Sequence, residues 1–300
     1  MPLRNHLAIV LLTFNEEVNL PACLASLAGL DCALYVVDSG STDGTVALAR
    51  AAGATVLEHP FDTHTRQWAW ALEHLPVAAP WVLALDADQQ LTPALRDEIA
   101  TLFSREDALS EVAGFYLNRR QIFRGQWIRH GGYYPKYLLK LFRRDRVWFD
   151  LEDLVDHHFY VTGPTQQLRN DLLEVNKKED DLSFWLGKHD RYAQLLAEEE
   201  WRRWHGQRST PVAPSLTGTP DQRTLWFKRV WWRCPRYVRP VLYFLYRYIV
   251  RLGFLDGKEG FVFHFLQALW FRLLIDVRLD ELDRSHARSV SADSLGEPRE

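Results

Sequence analysis

Two carboxylates, one residue apart, end an apolar run in the segment WVLALDAD. They are Asp86 and Asp88, and the run before them begins at Trp81. Two carboxylates in this arrangement can share a hard divalent cation whose coordination is completed by a ligand's phosphates. The same short motif can also cap a turn or the following helix. Taken alone, the pair leaves both a cation site and a structural turn open.

A second polar cluster, VVDSGSTDGT, also follows an apolar run. Asp38 ends that run, where its carboxylate can accept hydrogen bonds from a nucleobase or a ribose. Gly40 and Gly44 allow a tight turn, and the hydroxyl side chains within 41–43 can cap the next helix. We predict a ligand contact for Asp38 and a plain capped turn for 41–43.

The elements that must position these residues alternate between strand and helix patterns over the first hundred residues. Predicted strands cover 7–14, 33–38, 54–59 and 81–86, and predicted helices cover 16–30, 42–53 and 64–75. This alternation with short connections predicts an α/β fold with a doubly wound, mainly parallel, Rossmann-like sheet. Ligands of such sheets bind at the carboxyl ends of the strands, so the segments 13–16, 38–41 and 86–88 should converge.

Three motifs carry a resemblance to a known family. The segments LLTFNEEVNLPACLASL, VVDSGSTDGT and LALDADQQLT, in this order and spacing, resemble the inverting family 2 glycosyltransferases over residues 6–120. The resemblance implies a GT-A fold, a nucleotide-diphosphate sugar donor (a UDP-sugar being the expected one), and Mg²⁺ or Mn²⁺ as cofactor. A cation fits the chemistry, because the diphosphate leaving group gains negative charge as the glycosidic bond breaks.

The resemblance also assigns residues to the donor. Those matched to the nucleotide sugar are Thr13, Asn15, Glu16, Asp38, Arg66, Asp86 and Asp88. Asp88 and Asp86 match the metal motif, with Asp88 as the expected direct ligand. The pattern around Arg66, HTRQWAWAL, is looser than the family's.

Inverting transfer needs a carboxylate that takes the proton from the attacking hydroxyl of the acceptor. The resemblance, here to the lipopolysaccharide-core branch, places this base after the strand LLKLFRR, within residues 148–159. The candidates there are Asp150, Glu152, Asp153 and Asp156. We predict Asp156, followed by Asp153 or Glu152, although that branch commonly reads V-H-E where this chain reads V-D-H.

A later segment, KHDRY, resembles a K-H-x-x-Y motif of related enzymes. By that resemblance Lys188, His189 and Arg191 contact the diphosphate or a phosphorylated acceptor, while a solvated helix face remains the alternative. The Q-x-x-R-W motif of processive members is absent from the sequence, which favours addition of a single sugar.

The C-terminal part has a different composition. Between Arg202 and Arg251 there are eleven Lys or Arg residues and one acidic residue, Asp221, interleaved with Trp and Tyr. This pattern is typical of helices that lie in an anionic membrane interface, although intramolecular packing and nucleic-acid binding are alternatives. The apolar stretch 261–275 contains His264 and Arg272 and is shorter than the roughly 20 residues of a spanning helix. We therefore predict a peripheral, not a spanning, membrane protein.

Bulk properties narrow the function further. The net charge of −3 and the pI near 6.4 argue against nucleic acid as a partner. The three cysteines show no metal or redox spacing, and the N-terminal apolar run reads as a strand, not a signal peptide. Both features favour a cytoplasmic location. Together with the expected membrane surface and the resemblance to the lipopolysaccharide-core branch, they imply the inner face of the cytoplasmic membrane and a lipid-linked or lipopolysaccharide saccharide as the acceptor.

The expected organisation has four parts. They are a catalytic domain at 1–205 (donor half about 1–120, acceptor half about 121–205), a linker at 206–222, membrane-associating helices at 223–283 and a polar tail at 284–300. One rival interpretation is a nucleotide-sugar-binding scaffold or regulatory subunit without catalysis. A nucleotidyltransferase would need a phosphate-gripping loop after the first strand, and TFNEE is not one.

Overall fold

One continuous sheet connects the donor and acceptor halves of the chain. The computed structural model describes residues 6–76, 79–104, 109–155, 158–208, 210 and 212–294. Its strands are β1 Leu7–Thr13, β2 Ala33–Asp38, β3 Thr55–Glu58, β4 Trp81–Asp86, β5 Gln89–Leu91, β6 Gly114–Phe123, β7 Gln126–Ile128, β8 Tyr137–Arg143, β9 Val147–Trp148, β10 Tyr160–Val161 and β11 Thr165–Val175. Its helices are α1 Leu20–Ser26, α2 Thr45–Ala51, α3 His64–His74, α4 Pro93–Phe103, α5 Leu182–Trp204, α6 Pro220–Arg233, α7 Val238–Leu245, α8 Gly257–His264 and α9 Phe271–Ser294.

The strands of the main sheet follow the order β3-β2-β1-β4-β8-β6-β11-β5, and β7 pairs with β6. β1 runs parallel to both β2 and β4, and its residues from Leu7 to Leu11 are all fully buried. A strand covered on both faces has no solvent side, which explains its unbroken apolar sequence. The predicted α/β class with a mainly parallel sheet is confirmed.

The acceptor half extends the same sheet. β8 lies antiparallel between β4 and β6, and β11 lies parallel to β6. The carboxyl ends of β4, β6 and β11 therefore meet at one edge, together with the start of β8. The chain turns after β8 at Arg143, whose Nε donates to Asp145 Oδ1 at 3.1 Å. β9 then pairs with β10 in a separate small sheet.

The C-terminal helices pack on the acceptor half. A hydrophobic core joins helices α5 and α9 to strands β6 and β7. Its buried residues are Phe123, Ile128, Trp185, Ala193, Ala197, Phe263, Leu266, Phe271, Ile275 and Leu279. Two π-helical turns, Tyr246–Val250 after α7 and Phe265–Trp270 between α8 and α9, continue their helices without a break.

The helix Gly253–Arg288 is 36 residues long, which is longer than the apolar stretch predicted from the sequence. By length and composition it is able to cross a membrane, but 44% of its most apolar window is buried inside the protein. Asp276, which ends the apolar stretch in the sequence, is fully buried in the structure because it pairs with Arg239.

Candidate donor-binding and active site

The turn after β2 is organised around the carboxylate of Asp38. Its Oδ2 accepts hydrogen bonds from the backbone N–H groups of Gly40 at 3.0 Å and Ser41 at 2.7 Å. Its Oδ1 accepts from the hydroxyls of Ser41 at 2.6 Å and Thr13 at 2.8 Å. Gly40 has φ +87°, a conformation that favours glycine. Asp38 thus stabilises the loop, and any nucleotide contact has to share an oxygen already used by the turn.

The loop after β1 is fastened to this turn. The backbone N–H of Asn15 donates to Ser41 Oγ at 2.8 Å, and its side-chain oxygen accepts from the backbone N–H of Thr42 at 2.8 Å. The N–H of Glu16 donates to Thr45 Oγ1 at 2.7 Å. Thr13, Asn15, Glu16 and Asp38 therefore lie together, as predicted from the convergence of the strand ends.

The side chain of Glu16 connects this surface to the segment after β11. It pairs with Lys178, whose Nζ also donates to the carbonyl of Asn15 at 3.2 Å. Its other oxygen accepts from Asn19 Nδ2 at 2.8 Å. No sequence motif points to Lys178, because nothing local relates it to a segment some 160 residues earlier.

Asp86 has a buried cationic partner from the acceptor half. Lys140, only 3% exposed and located on β8, donates from Nζ to Asp86 Oδ2 at 2.9 Å. Lys140 is not among the residues that the motifs predict. The signal was available in LLKLFRR, since a lysine within an apolar strand requires a carboxylate partner when the strand is buried.

Asp88 lies in a field of like charge. Burial and the carboxylates of Glu174, Asp86 and Glu16 hold the pKa of Asp88 well above its usual range, and Lys188 offsets this only in part. Burial together with Asp88 and Asp86 also raises the pKa of the Cys23 thiol. The arrangement is a concentration of negative charge that favours a cation.

Glu174 is a member of this site that the sequence analysis missed. It lies on β11 opposite Gln89 in the sheet register, and Gln89 Nε2 donates to its Oε2 at 3.1 Å. Arg119 on β6 donates from Nη1 to both carboxylate oxygens at 3.0 Å. Only the pairing of β11 with β5 and β6 brings Glu174 next to the Asp86–Asp88 loop.

The three candidates on α5 point in different directions. Burial disfavours the charged form of Lys188, but Glu179, Tyr192 and Asp88 outweigh it and raise its pKa. Lys188 Nζ donates to Glu179 Oε1 at 2.6 Å, and its charge acts on Asp88. Lys188 therefore belongs to the donor edge, by which we mean the strand ends that carry Asp86, Asp88 and Glu174. Arg191 is exposed to solvent.

His189 is a core residue in this structure. Its ring stacks on Trp185 at 3.5 Å between centroids, its Nδ1 bonds to the Trp185 carbonyl at 2.9 Å, and its Nε2 lies 2.8 Å from Gln267 Nε2. Burial lowers the pKa of His189 to about 4, so the ring is neutral. The structure separates His189 from Lys188 and directs it towards the C-terminal helices.

Arg66 lies in the first turn of α3. It forms an i,i+4 pair with Asp62 at 2.5 Å, with its side chain 59% exposed. The next residue, Gln67, is buried and donates to Ser39 Oγ at 3.1 Å, so it is the α3 residue that contacts the β2 loop. Arg66 itself remains a predicted nucleotide contact.

The candidate base Asp156 lies outside the described residues. Of the two alternatives, Glu152 is exposed, and Asp153 is buried against Arg208 and His158, whose Nδ1 lies 3.5 Å from Asp153 Oδ2. Burial raises the pKa of Asp153, but His158 and Arg208 outweigh it, and the net pKa is lowered. Arg208 also pairs with Asp150 at 3.2 Å. Asp153 is thus held as a weakly basic carboxylate in an ion-pair network.

The residues at the donor edge fit a divalent cation. Across the described residues no group of three or more His, Cys, Asp or Glu side chains is arranged as a ready metal cage. Mg²⁺ commonly takes only one or two carboxylates from a protein and completes its shell with phosphates and water. Asp88 and Asp86 supply that number. The neighbouring carboxylates that raise the pKa of Asp88 form a surplus of negative charge, which a bound cation would offset.

The chain matches a known family and several known sequences. Residues 8–161, more than half of the 300-residue chain, match the model of glycosyl transferase family 2. The lipopolysaccharide core biosynthesis glycosyltransferase LpsC of Rhizobium meliloti is 29% identical over 275 residues, which cover 87% of this chain and 90% of the relative. An uncharacterized glycosyltransferase of Rickettsia conorii is 36% identical over 102 residues, 34% of this chain and 36% of that one.

Solved structures with a similar arrangement include S. aureus TarS 1–349, with a TM-score of 0.40 and 14% identity over 94% of this chain and 92% of that one. Glucosyl-3-phosphoglycerate synthase from Mycobacterium tuberculosis, in complex with Mn²⁺ and UDP-glucose, has a TM-score of 0.32 and 22% identity, covering 39% and 44%. With the family model matched along the donor half and into the acceptor half, the chain belongs to glycosyl transferase family 2 and is a glycosyltransferase of the GT-A fold class.

Proposed function

We propose that this enzyme transfers one sugar, with inversion, from a UDP-sugar to a lipid-linked or lipopolysaccharide saccharide at the inner face of the cytoplasmic membrane. The observation that carries the donor part is the clustering of Asp86, Asp88, Glu174 and Lys188 at the edge that also holds Glu16. The similarity to a lipopolysaccharide core glycosyltransferase supports the acceptor class.

The donor site is proposed to work through Asp88 and Asp86, which would hold Mg²⁺ or Mn²⁺. The cation would offset the charge that develops on the departing diphosphate. Lys140 orients Asp86, because its ammonium group contacts the Asp86 carboxylate inside the protein. Thr13, Asn15, Glu16, Asp38 and Arg66 are proposed for the nucleotide, and Lys188 for the diphosphate.

The base is proposed to be Asp156, with Asp153 or Glu152 as alternatives. The role is to accept the proton of the acceptor hydroxyl as this oxygen attacks the anomeric carbon. The pairing of Asp153 with His158 and Arg208 lowers its pKa and so weakens it as a base.

Membrane association is proposed to depend on the apolar C-terminal surface. We define this surface by the large apolar side chains that residues 238–265 expose to solvent. They are Val238, Val241, Leu242, Leu245, Tyr246, Ile249, Val250, Leu252, Phe254, Leu255, Phe261 and Phe265, each at least 41% exposed. Contiguous apolar surface of this kind is typical of interaction sites. Arg229 and Arg233, both exposed, supply positive charge that favours an anionic bilayer.

Calorimetry tests the donor site. Titration of UDP and UDP-sugars into wild type and Asp88→Ala, with and without Mn²⁺, should show metal-dependent binding that the variant loses. Asp156→Asn should keep this binding and lose turnover. Absence of binding by any nucleotide sugar to wild type would contradict the proposal.

Co-sedimentation tests the membrane part. The double variant Leu242→Asp with Ile249→Asp should no longer sediment with phosphatidylcholine–phosphatidylglycerol vesicles, because both side chains are more than half exposed on the apolar C-terminal surface. Leu216→Asp, at a 50% exposed leucine outside that surface, is the matched control. Equal sedimentation of all three proteins would exclude this surface as the anchor.

A further inference from the structure

Three arginines near the acceptor half lack the carboxylate partners that neighbouring arginines have. They are Arg247, Arg251 and Arg272, and in the part of the chain that the structure describes no acidic side chain forms an ion pair with any of them. The Nε of Arg247 is buried and has no hydrogen-bond partner among the described residues. Its guanidinium hydrogen-bonds with the side chain of Tyr133, but a phenol does not neutralise the positive charge, so this charge lacks a counter-ion among the described residues and favours an added anion.

Aromatic rings hold two of these arginines, Arg247 and Arg272, without cancelling their charge. The guanidinium of Arg247 lies over Tyr133, 3.9 Å from the ring centroid, and 5.1 Å from that of Tyr243. Arg272 lies 5.8 Å from the centroid of Tyr243. Cation–π contacts occupy the faces of a guanidinium and leave its N–H groups at the edge for an oxyanion.

The loop 130–135 comes close to Arg247 and Arg251 at Gly132. Gly132 has φ +75°, and a Cβ added there would lie 3.5 Å from Arg251 Nε and 3.7 Å from Arg247 Nη1. Besides the contact of Tyr133 with Arg247, the loop is anchored by two bonds that do not involve a guanidinium group. Gly131 N–H donates to the Arg251 carbonyl at 2.8 Å, and His130 Nδ1 lies 2.6 Å from Asp256 Oδ1.

This position lies between the proposed membrane surface and the catalytic edge. Loop 130–135 leads directly into β8, whose Lys140 contacts Asp86. Arg247 belongs to the helical turn Tyr246–Val250, whose residues Ile249 and Val250 are exposed on the apolar C-terminal surface. A group bound here would be close to the bilayer and on the acceptor side of the site.

We propose that Arg247, Arg251 and Arg272 form a binding site for a phosphate group next to the acceptor. The chemistry fits, because guanidinium groups bind phosphate oxygens through paired, charge-assisted hydrogen bonds. The phosphate is carried either by the lipid-linked acceptor or by the headgroup of an adjacent anionic lipid. The assignment of this phosphate to the acceptor side rests on the proposed function.

The structural arginines of the same helices provide the contrast. Arg236 contacts Asp280 and Asp283, and Arg278 contacts Asp190 and Glu281. These arginines have partners inside the chain, so packing explains them. Among the described residues, the three arginines of the proposed phosphate site have no such carboxylate partner.

The test is calorimetric titration of inorganic phosphate into the full-length chain, in nonionic detergent, with UDP present to fill the donor site. Wild type should bind phosphate, and Arg251→Gln should weaken binding about tenfold or more, as expected for loss of a charge-assisted contact. Arg247→Gln should weaken it likewise. Arg169→Gln, at an exposed arginine on β11, is the control and should bind phosphate as wild type does.

The outcomes separate this inference from the proposed function. Unchanged phosphate affinity in both Arg251→Gln and Arg247→Gln, or no phosphate binding by a wild type that binds UDP, overturns the phosphate site and leaves the donor site intact. Phosphate binding that depends on the arginines in a protein that does not bind UDP supports the site and contradicts the proposed donor.

Vesicles distinguish the two sources of phosphate. If the lipid headgroup is the ligand, Arg251→Gln should bind vesicles containing phosphatidylglycerol more weakly than wild type and bind pure phosphatidylcholine vesicles equally. If the acceptor carries the phosphate, vesicle binding should be unchanged while the affinity for inorganic phosphate falls. Either pattern supports the site.

Discussion

Two regions of the molecule bury charge, and they treat it in opposite ways. In the C-terminal helices, Arg239 is 1% exposed and its guanidinium bonds to Asp276 at 2.8 Å and to Glu200 at 2.6 Å. At the donor edge, Asp88 is surrounded by the carboxylates of Glu174, Asp86 and Glu16, and its pKa is raised. In the first region the buried arginine has carboxylate partners, whereas in the second Asp88 forms no ion pair among the described residues, although its carboxylate neighbours do.

This difference separates structural charge from functional charge. A buried ion pair with matched partners fixes how helices pack, whereas like charges brought together destabilise the native state unless a ligand joins them. Arg247, Arg251 and Arg272 also form no ion pair among the described residues, and here the surplus charge is positive. The following predictions test the comparison, from the largest expected effect to the smallest.

Asp276→Asn should destabilise the fold most. It leaves Arg239 buried with its main partner gone, and breaking a buried pair costs about 3–5 kcal/mol. Chemical denaturation measures the change in the free energy of unfolding. Asp280→Asn, on the same helix, is the control, since Asp280 is partly exposed beside Arg236 and its loss should cost at most about 1 kcal/mol. Equal effects of the two changes would contradict a structural role specific to the buried pair.

Asp88→Asn should separate function from stability. The loss of a group that stabilises developing charge typically lowers kcat about 10²–10³-fold, equivalent to about 3–4 kcal/mol. A carboxyl whose pKa is raised on folding is destabilising when ionised, so removing its charge should raise the Tm of the metal-free protein at neutral pH.

Steady-state kinetics and thermal unfolding measure the two effects of Asp88→Asn. A variant with lower Tm in the absence of metal would show that Asp88 is compensated after all. Retention of full activity would remove Asp88 from the metal site.

Asp38→Asn should destabilise the protein by about 1–3 kcal/mol, the cost of leaving buried donors without their acceptor. The donors affected are Thr13, Gly40 and Ser41. Denaturant unfolding measures this cost, and UDP binding by the folded fraction measures any nucleotide contact separately. Unchanged stability with weaker UDP binding would assign Asp38 to the ligand alone.

His189→Gln should flatten the dependence of stability on pH. Burial lowers the pKa of His189 from 6.5 to about 4, so the unfolded chain binds the extra proton over this interval. The contribution of the neutral ring is complete above pH 6.5 and is lost as the pH falls towards 4, with a slope of at most about 1.4 kcal/mol per pH unit.

Unfolding free energies of wild type and His189→Gln across that interval provide the measurement. His264, also buried and with its pKa lowered to about 4, is present in both proteins and cancels in the difference. Parallel curves would show that His189 is protonated in the native state.

Several predictions from sequence were confirmed because they depend on local patterns. The buried strands β1, β2 and β4 are continuous apolar runs, and such runs identify parallel strands covered on both faces. The polar segments that follow them had to converge, because parallel strands end at the same edge. The family match agrees with the three motifs that carry the resemblance.

Other features required the tertiary structure. Lys140, Glu174 and Lys178 join the donor edge through the pairing of β8 and β11, which no local pattern specifies. Lys188 and His189 are adjacent in sequence, yet α5 directs one to the carboxylates and the other into a core with Trp185. Helix rotation decides which neighbour faces the site, and that rotation is set by packing against α9.

The sequence by itself determined the sheet, its apolar strands and the convergence of Asp38, Asp86 and Asp88, because these follow from chain direction and hydrophobic periodicity. Only the tertiary structure decided which charged side chains have a partner of opposite charge among the described residues and which do not. Arg239 and Arg247 are both arginines in aromatic helices, but only Arg239 faces carboxylates. Compensation of charge depends on contacts between distant segments, and those contacts exist only in the folded chain.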